Sequence, residues 1–146
     1  MHIEIFTRNL QLDIYGFGGM ATNKDYTGTA FKLSGKMWEH IKAGNIKNKG
    51  KNIWVYEDAD KVFTGVELEN HIETDSLALE HKKISMDKYA YYKHIGPYNL
   101  IKQTGQKMIR ELTEKGFNVI HPYIEIYGHW INDETKSETE LLMCLK

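Results

Sequence analysis

The chain is short of the residues that staple, target or anchor a protein. One cysteine, Cys144, stands among 146 residues, so no internal disulfide framework and no paired-cysteine metal knuckle can form. Only Arg8 and Arg110 are arginines, and 19 Lys and Arg against 20 Asp and Glu leave a formal net charge of −1. Nucleic-acid binders carry a basic excess, with arginines placed to fork onto phosphates and base edges, so no direct nucleic-acid partner is expected. The basic tract Lys42–Lys51 is broken by glycine and asparagine and reads as a solvated helix end and loop. No apolar run approaches the ~18–20 residues of a bilayer crossing. The opening Met1-His2-Ile3-Glu4-Ile5-Phe6 is too polar for a secretory leader. A cytoplasmic protein away from membranes is the expectation. No phosphate loop, dinucleotide fingerprint or nucleophile elbow occurs either.

What the chain does have is the content of an ordinary globular domain, 41% hydrophobic and 27% charged, at the length of one domain. It also has internal self-similarity. Lys36-Met37-Trp38-Glu39-His40-Ile41 matches Lys107-Met108-Ile109-Arg110-Glu111-Leu112 at an offset of 107 − 36 = 71, and Ile53-Trp54-Val55-Tyr56 matches Ile124-Glu125-Ile126-Tyr127 at 124 − 53 = 71. A helical and a strand-like segment thus keep one register, which predicts a duplication within a single domain, residues 1–146, with repeats over about 3–69 and 80–145.

Each repeat reads as strand, helix, strand, strand. In the first, Leu10, Leu12 and Ile14 alternate with polar residues, and a glycine-rich bend follows at residues 16–19. A helix over about 29–43 carries Phe31, Trp38 and Ile41 on one stripe and stops at Gly44. Strands near 52–57 and 61–69 flank the polar turn Glu57-Asp58-Ala59-Asp60. In the second, a strand over 84–94 ends at His94-Ile95-Gly96-Pro97, where proline suits a helix entrance. A helix over about 99–115 carries Ile101, Met108 and Leu112, and strands near 121–128 and 137–145 flank a turn at 130–134. Residues 70–83 read as the linker.

Side chains alternate across a strand. Ile53 and Val55, like Ile124 and Ile126, share one face, the natural one to lie beneath a helix. Trp54, Tyr56, Tyr123, Glu125 and Tyr127 would then look away from the helices, joined from the next strand by Phe63, Gly65 and Glu67. A sheet face that simply met water would be mostly polar; this one is ring-rich, with carboxylates among the rings. The expected product is a cleft with aromatic walls and an acid at its base, apolar with a few convergent polar groups. Ring faces attract cations and stack on flat ligands, at roughly 0.5–2 kcal/mol per contact. An unpaired buried carboxylate is costly, and a cationic guest relieves that cost. Cross-strand aromatic pairs also stabilise sheets with no ligand at all, so Tyr56 or Tyr127 alone decides little; an acid between two isoleucines and flanked by tyrosines decides more.

Metal and nucleophile chemistry fare worse. His121, Glu125 and His129 are spaced by four, which aligns ligands on a helix but sets them ~13 Å apart per step on a strand. No metal and no cofactor is expected, and Cys144 reads as a small core residue.

The run Tyr89-Ala90-Tyr91-Tyr92-Lys93-His94-Ile95-Gly96-Pro97-Tyr98 and the run Pro122-Tyr123-Ile124-Glu125-Ile126-Tyr127 resemble, in order and spacing, two motifs of the GyrI-like small-molecule-binding domains. These are the effector-binding domains of many AraC-type and MerR-type multidrug regulators, and the similarity extends over about residues 3–145. The resemblance implies an α+β fold in which two strand-helix-strand-strand units form one curved antiparallel sheet, helices on one face and a ligand cleft on the other. It also implies that Glu125 meets cationic aromatic drugs. No helix-turn-helix segment flanks the domain, so direct control of transcription is not expected.

Two functions follow as expectations. One is a stand-alone binding domain that sequesters or reports hydrophobic, aromatic or cationic small molecules, lined by Glu125, Tyr127, Tyr123, Trp54, Tyr56, Phe63 and Tyr92. The alternative is a hydrolase, as some stand-alone members of the family are, opening cyclopropane-bearing DNA-alkylating compounds with Glu125 or Glu67 as general base or acid. No sequence feature indicates a protein partner.

Overall fold

Asp25 opens the first helix: its side chain accepts the Gly28 amide at 3.0 Å and so satisfies one free N–H of the first turn. In the computed structural model, which describes residues 1–70, 78–129 and 131–146, that helix is α1 (Tyr26–Ala43), three residues longer at its start than its apolar stripe suggests. The second, α2 (Ile101–Glu114), follows a 3-10 turn at Tyr98–Leu100. The strands are β1 (Glu4–Phe6), β2 (Leu10–Met20), β3 (Asn52–Tyr56), β4 (Lys61–Val66), β5 (Glu80–Met86), β6 (Tyr89–Ile95), β7 (Val119–Tyr127) and β8 (Glu138–Leu145). Among the described residues these eight form one antiparallel sheet in the order β1-β6-β8-β7-β3-β4-β2-β5. The α+β class and the single antiparallel sheet are as expected.

Each half has one more strand than its apolar pattern suggests. The expected strand over 84–94 is two, β5 and β6, broken at Asp87-Lys88. Glu80–Lys83 of the expected linker belong to β5, while residues 71–77, and Trp130 in the later turn, lie outside the described residues. The extra strands are exchanged: β1 pairs with β6 of the second half and β5 with β2 of the first. The offset of 71 also reappears in the packing. Ala30, Ser34, Met37 and Ile41 are the buried residues of α1, and Ile101, Gly105, Met108 and Leu112, each 71 further on, are those of α2.

The registers fix the two faces, because residues directly opposite in an antiparallel ladder share a face. Ile53, Val55, Phe63, Ile124 and Leu142 lie on one; Trp54, Tyr56, Val62, Tyr123, Glu125 and Leu141 lie on the other. The first set packs with Ile14, Ile84, Met86, Tyr89 and Cys144 into a core to which neither helix contributes. Side chains there are buried without a helix above them. Gly16 and Gly65 face each other across β2 and β4 on this inner side, and a Cβ on Gly16 would lie 1.8 Å from the Thr64 carbonyl oxygen. Only glycine permits that approach.

The helices therefore lie over the aromatic face, the reverse of the expected arrangement. Trp54 packs with Ala30 of α1 and Val62. A Cβ on Gly105 of α2 would stand 3.6 Å from the Tyr123 hydroxyl. The physical reason is volume: rings are bulky, and both helices turn small residues (Ala30, Ser34, Gly105) toward them. Phe31, expected in the core stripe, is instead 64% exposed.

Candidate functional site

The sheet is centred on the pair β3 and β7, where Trp54 stands directly opposite Glu125 and Tyr56 opposite Tyr123. Glu125 is flanked along its own strand by Tyr123 and Tyr127, two residues to either side and on the same face. Backbone alternation alone thus gathers three tyrosines and a tryptophan around one carboxylate. Tyr123 donates its hydroxyl to Glu125 Oε2 at 2.7 Å, Tyr127 donates to Oε1 at 2.7 Å, and Tyr56 reaches the same Oε1 at 3.4 Å. Glu125 and Trp54 are only 7% and 5% exposed.

The rings close in around this centre. Tyr56 and Tyr123 stack at 5.7 Å, and Trp54 tilts against Tyr127 at 4.7 Å. A second shell of rings comes from the helices and the turn before α2. Phe31 of α1 stands edge-on to Trp54 at 5.1 Å, Tyr98 edge-on to Tyr127 at 5.7 Å, and Tyr26, at the start of α1, edge-on to Tyr56 at 6.4 Å. Phe31 and Tyr98 are both exposed and stand on opposite sides, one beside α1 and one beside α2. They form the outer rim of the aromatic cluster.

The electrostatics follow from burial. Loss of water raises the Glu125 carboxyl above its ordinary value of 4.5, and the hydroxyl bonds from Tyr123, Tyr127 and Tyr56 pull the other way without cancelling that rise. Burial, then the adjacent carboxylate, pushes the hydroxyls of Tyr56, Tyr123 and Tyr127 far above the ordinary tyrosine value. All three therefore remain protonated donors. Among the described residues every ion pair lies elsewhere, and none brings a cation to Glu125. Nor do the described residues place three His, Cys, Asp or Glu side chains close enough to hold a metal ion. The Trp54 indole N–H is also buried without a hydrogen-bond partner among the described residues.

Of the residues singled out from the sequence, Glu125, Tyr123, Tyr127, Trp54 and Tyr56 come together, on the helix side. Phe63 does not: it faces Val55 in the inner core. Glu67 does not either. It follows β4 and pairs with Lys49 at 3.7 Å, so the site holds one carboxylate, not two. The face of β3 does not carry over to β4 as expected: Val62, not Phe63, stands opposite Tyr56. Tyr92 shares the row of Glu125 two strands away, beyond Leu141, and packs in the cluster under α2. At ~4.8 Å per strand it stands about 10 Å from the acid. Three more rings join this cluster: Tyr26, Tyr98 and Phe31, the last expected in the core stripe of α1. Only Tyr98 carried a signal, as the last residue of the Gly96-Pro97-Tyr98 run.

The sequence matches no family model and no curated protein. Solved structures match it over its full length. SAV2435 bound to tetraphenylphosphonium is 16% identical, with a TM-score of 0.69 over 100% of this chain and 94% of that one. The EcmrR C-terminal domain is 14% identical, with a TM-score of 0.74 over 100% of this chain and 99% of that one. A hydrolase from Listeria innocua is 12% identical, with a TM-score of 0.59 over 99% of this chain and 91% of that one. The likeness is one of fold: the chain shares the α+β architecture of these structures, one curved antiparallel sheet with two helices.

Proposed function

We propose that the chain binds lipophilic, aromatic cations between α1 and α2, with Glu125 as counter-charge. The observation that carries this is a 7%-exposed carboxylate ringed by aromatic side chains, with no cationic partner among the described residues. An unpaired buried charge is costly, and a cation that also offers flat apolar surface relieves the cost while filling the ring-lined space. At ~5 Å and an effective permittivity of ~20 the attraction is about 3 kcal/mol, or roughly a hundredfold in affinity. The solved structure of SAV2435 holds such a cation. The natural ligand is a small molecule of this kind, not a nucleic acid. The whole chain, 1–146, acts as one unit built from repeats at about 3–69 and 80–145.

Titration with tetraphenylphosphonium, followed by tryptophan fluorescence, tests the proposal. Glu125→Gln weakens binding about a hundredfold, whereas Glu4→Gln, on the edge strand β1, leaves it unchanged. Equal binding by both variants sinks it.

A hydrolytic role is the second reading, favoured by the raised Glu125 carboxyl, which suits a general acid or base. With Glu67 on another face, Glu125 alone would have to activate the water. Incubation with a cyclopropane-bearing indole electrophile separates the two: a ring-opened product that Glu125→Gln fails to form supports hydrolysis, and intact compound supports binding.

A further inference from the structure

The face beneath the helices is graded along β7. Where Tyr123 stands, the row across the sheet is Ala90, Met143, Tyr123, Tyr56 and Val62, apolar but for two hydroxyls already engaged with Glu125. One step along, the row holds Leu141, Glu125, Trp54 and Thr64, the last with a buried hydroxyl that also lacks a partner among the described residues. One step further, ~7 Å on, the row reads His94, Thr139, Tyr127 and Asn52, all of them polar.

That third row is built into the fold, yet incompletely satisfied. Asn52 donates its amide to Ser34 Oγ of α1 at 2.8 Å, and His94 is bound on both ring nitrogens, by the Pro97 carbonyl and by Thr104 of α2, each at 3.1 Å. Asn52 Oδ1 and the hydroxyl of Thr139, a residue with no exposed surface, have no partner among the described residues. Whichever way the Asn52 amide is turned, Ser34 engages one of its atoms and the other is left over. Tyr127 stands between Asn52 and Thr139 in the row while its own hydroxyl reaches back to Glu125, so one side chain links the polar row to the acid. Buried polar atoms without partners are uncommon and call for an explanation.

We infer that the site orients its guest: the ligand is an amphipathic aromatic cation with neutral amino, hydroxyl or amide groups about 8 Å from its charge, one row along and one strand to either side, one binding Thr139 and another Asn52 while its apolar end lies against Tyr56 and Tyr123. This rests on the counter-charge role of Glu125 and adds a direction to it. A ligand that is apolar all round, such as tetraphenylphosphonium, leaves Thr139 and Asn52 unpaired and forgoes their contribution.

The experiment compares ethidium, a phenanthridinium cation with two aryl amines, with the same cation lacking them, by isothermal titration. The wild type prefers ethidium about tenfold, the factor expected from one or two hydrogen bonds. Thr139→Val and Asn52→Leu each reduce that preference while the deaminated cation binds as before, and Thr139→Ser retains it. Equal affinities in the wild type, or variants that weaken both cations alike, overturn the polar end and leave the counter-charge standing. If neither cation binds, or Glu125→Gln loses nothing for either, the counter-charge falls as well.

Discussion

Glu125 is held by two opposed effects, burial and three hydroxyl donors, and burial prevails. Its carboxyl is raised in the fold, so the native state holds its proton more tightly than the unfolded chain does. The resulting stability is fully present below the ordinary value of 4.5 and is lost as pH rises through the raised one. Urea unfolding of the ligand-free protein is therefore expected to show stability falling from acid toward neutral pH, with a slope from this group of at most about 1.4 kcal/mol per pH unit. Glu125→Gln removes that slope; an unchanged profile in the variant means another group is responsible. A cation bound beside Glu125 favours the ionised form, so its affinity rises with pH across the same window and proton uptake by the buffer accompanies binding.

The helices carry a second lesson, that small residues make room for large ones. At Gly105 a Cβ falls 3.6 Å from the Tyr123 hydroxyl and 4.0 Å from Met143, ordinary contact distances. Gly105→Ala is thus expected to keep the site and gain up to about 1 kcal/mol from helix propensity. Gly105→Val overfills the space and drives Tyr123 off Glu125, at about 1–3 kcal/mol; equilibrium unfolding of the two variants measures both, and equal stabilities would show that the helix does not rest on the ring. The α2 stripe was legible because Ile101, Met108 and Leu112 recur at helical spacing and are all buried. The α1 stripe was not, because its buried face includes Ala30 and Ser34, too small to register as hydrophobic, while Phe31 turns outward onto Trp54. β5 was hidden for a related reason: Glu80-His81-Lys82-Lys83 is polar, as an edge strand tolerates, and looks like a linker. Glu125 was legible because an acid at a position flanked by isoleucines and tyrosines breaks the alternation of a simple strand.

At the scale of the whole molecule the sheet has two apolar faces, and nothing in a sequence says which one the helices choose. Alternation correctly separated Trp54 from Val55 and Val62 from Phe63, but the correspondence between strands is a matter of register, which depends on the turn between them. The sheet packs its aliphatic face without the helices and leaves the ringed face to them, so the aliphatic core and the proposed site lie on opposite sides of the same backbone. Trp54 and Glu125, 125 − 54 = 71 apart, meet at the centre of the sheet. The two positions matched by that offset thus carry different chemistry, and the proposed site offers one counter-charge rather than two. The separation of faces can be tested with a pair of variants on adjoining strands. Ile124→Ala removes an unexposed side chain from the inner core and should cost about 2–5 kcal/mol of stability while the folded protein keeps its affinity for tetraphenylphosphonium. Trp54→Phe, one strand away but on the helix side, should weaken that affinity severalfold through loss of the better cation-binding ring. If Ile124→Ala changes affinity as much as Trp54→Phe does in protein shown to be folded by circular dichroism, the two faces are coupled and the ligand does not lie where the rings are.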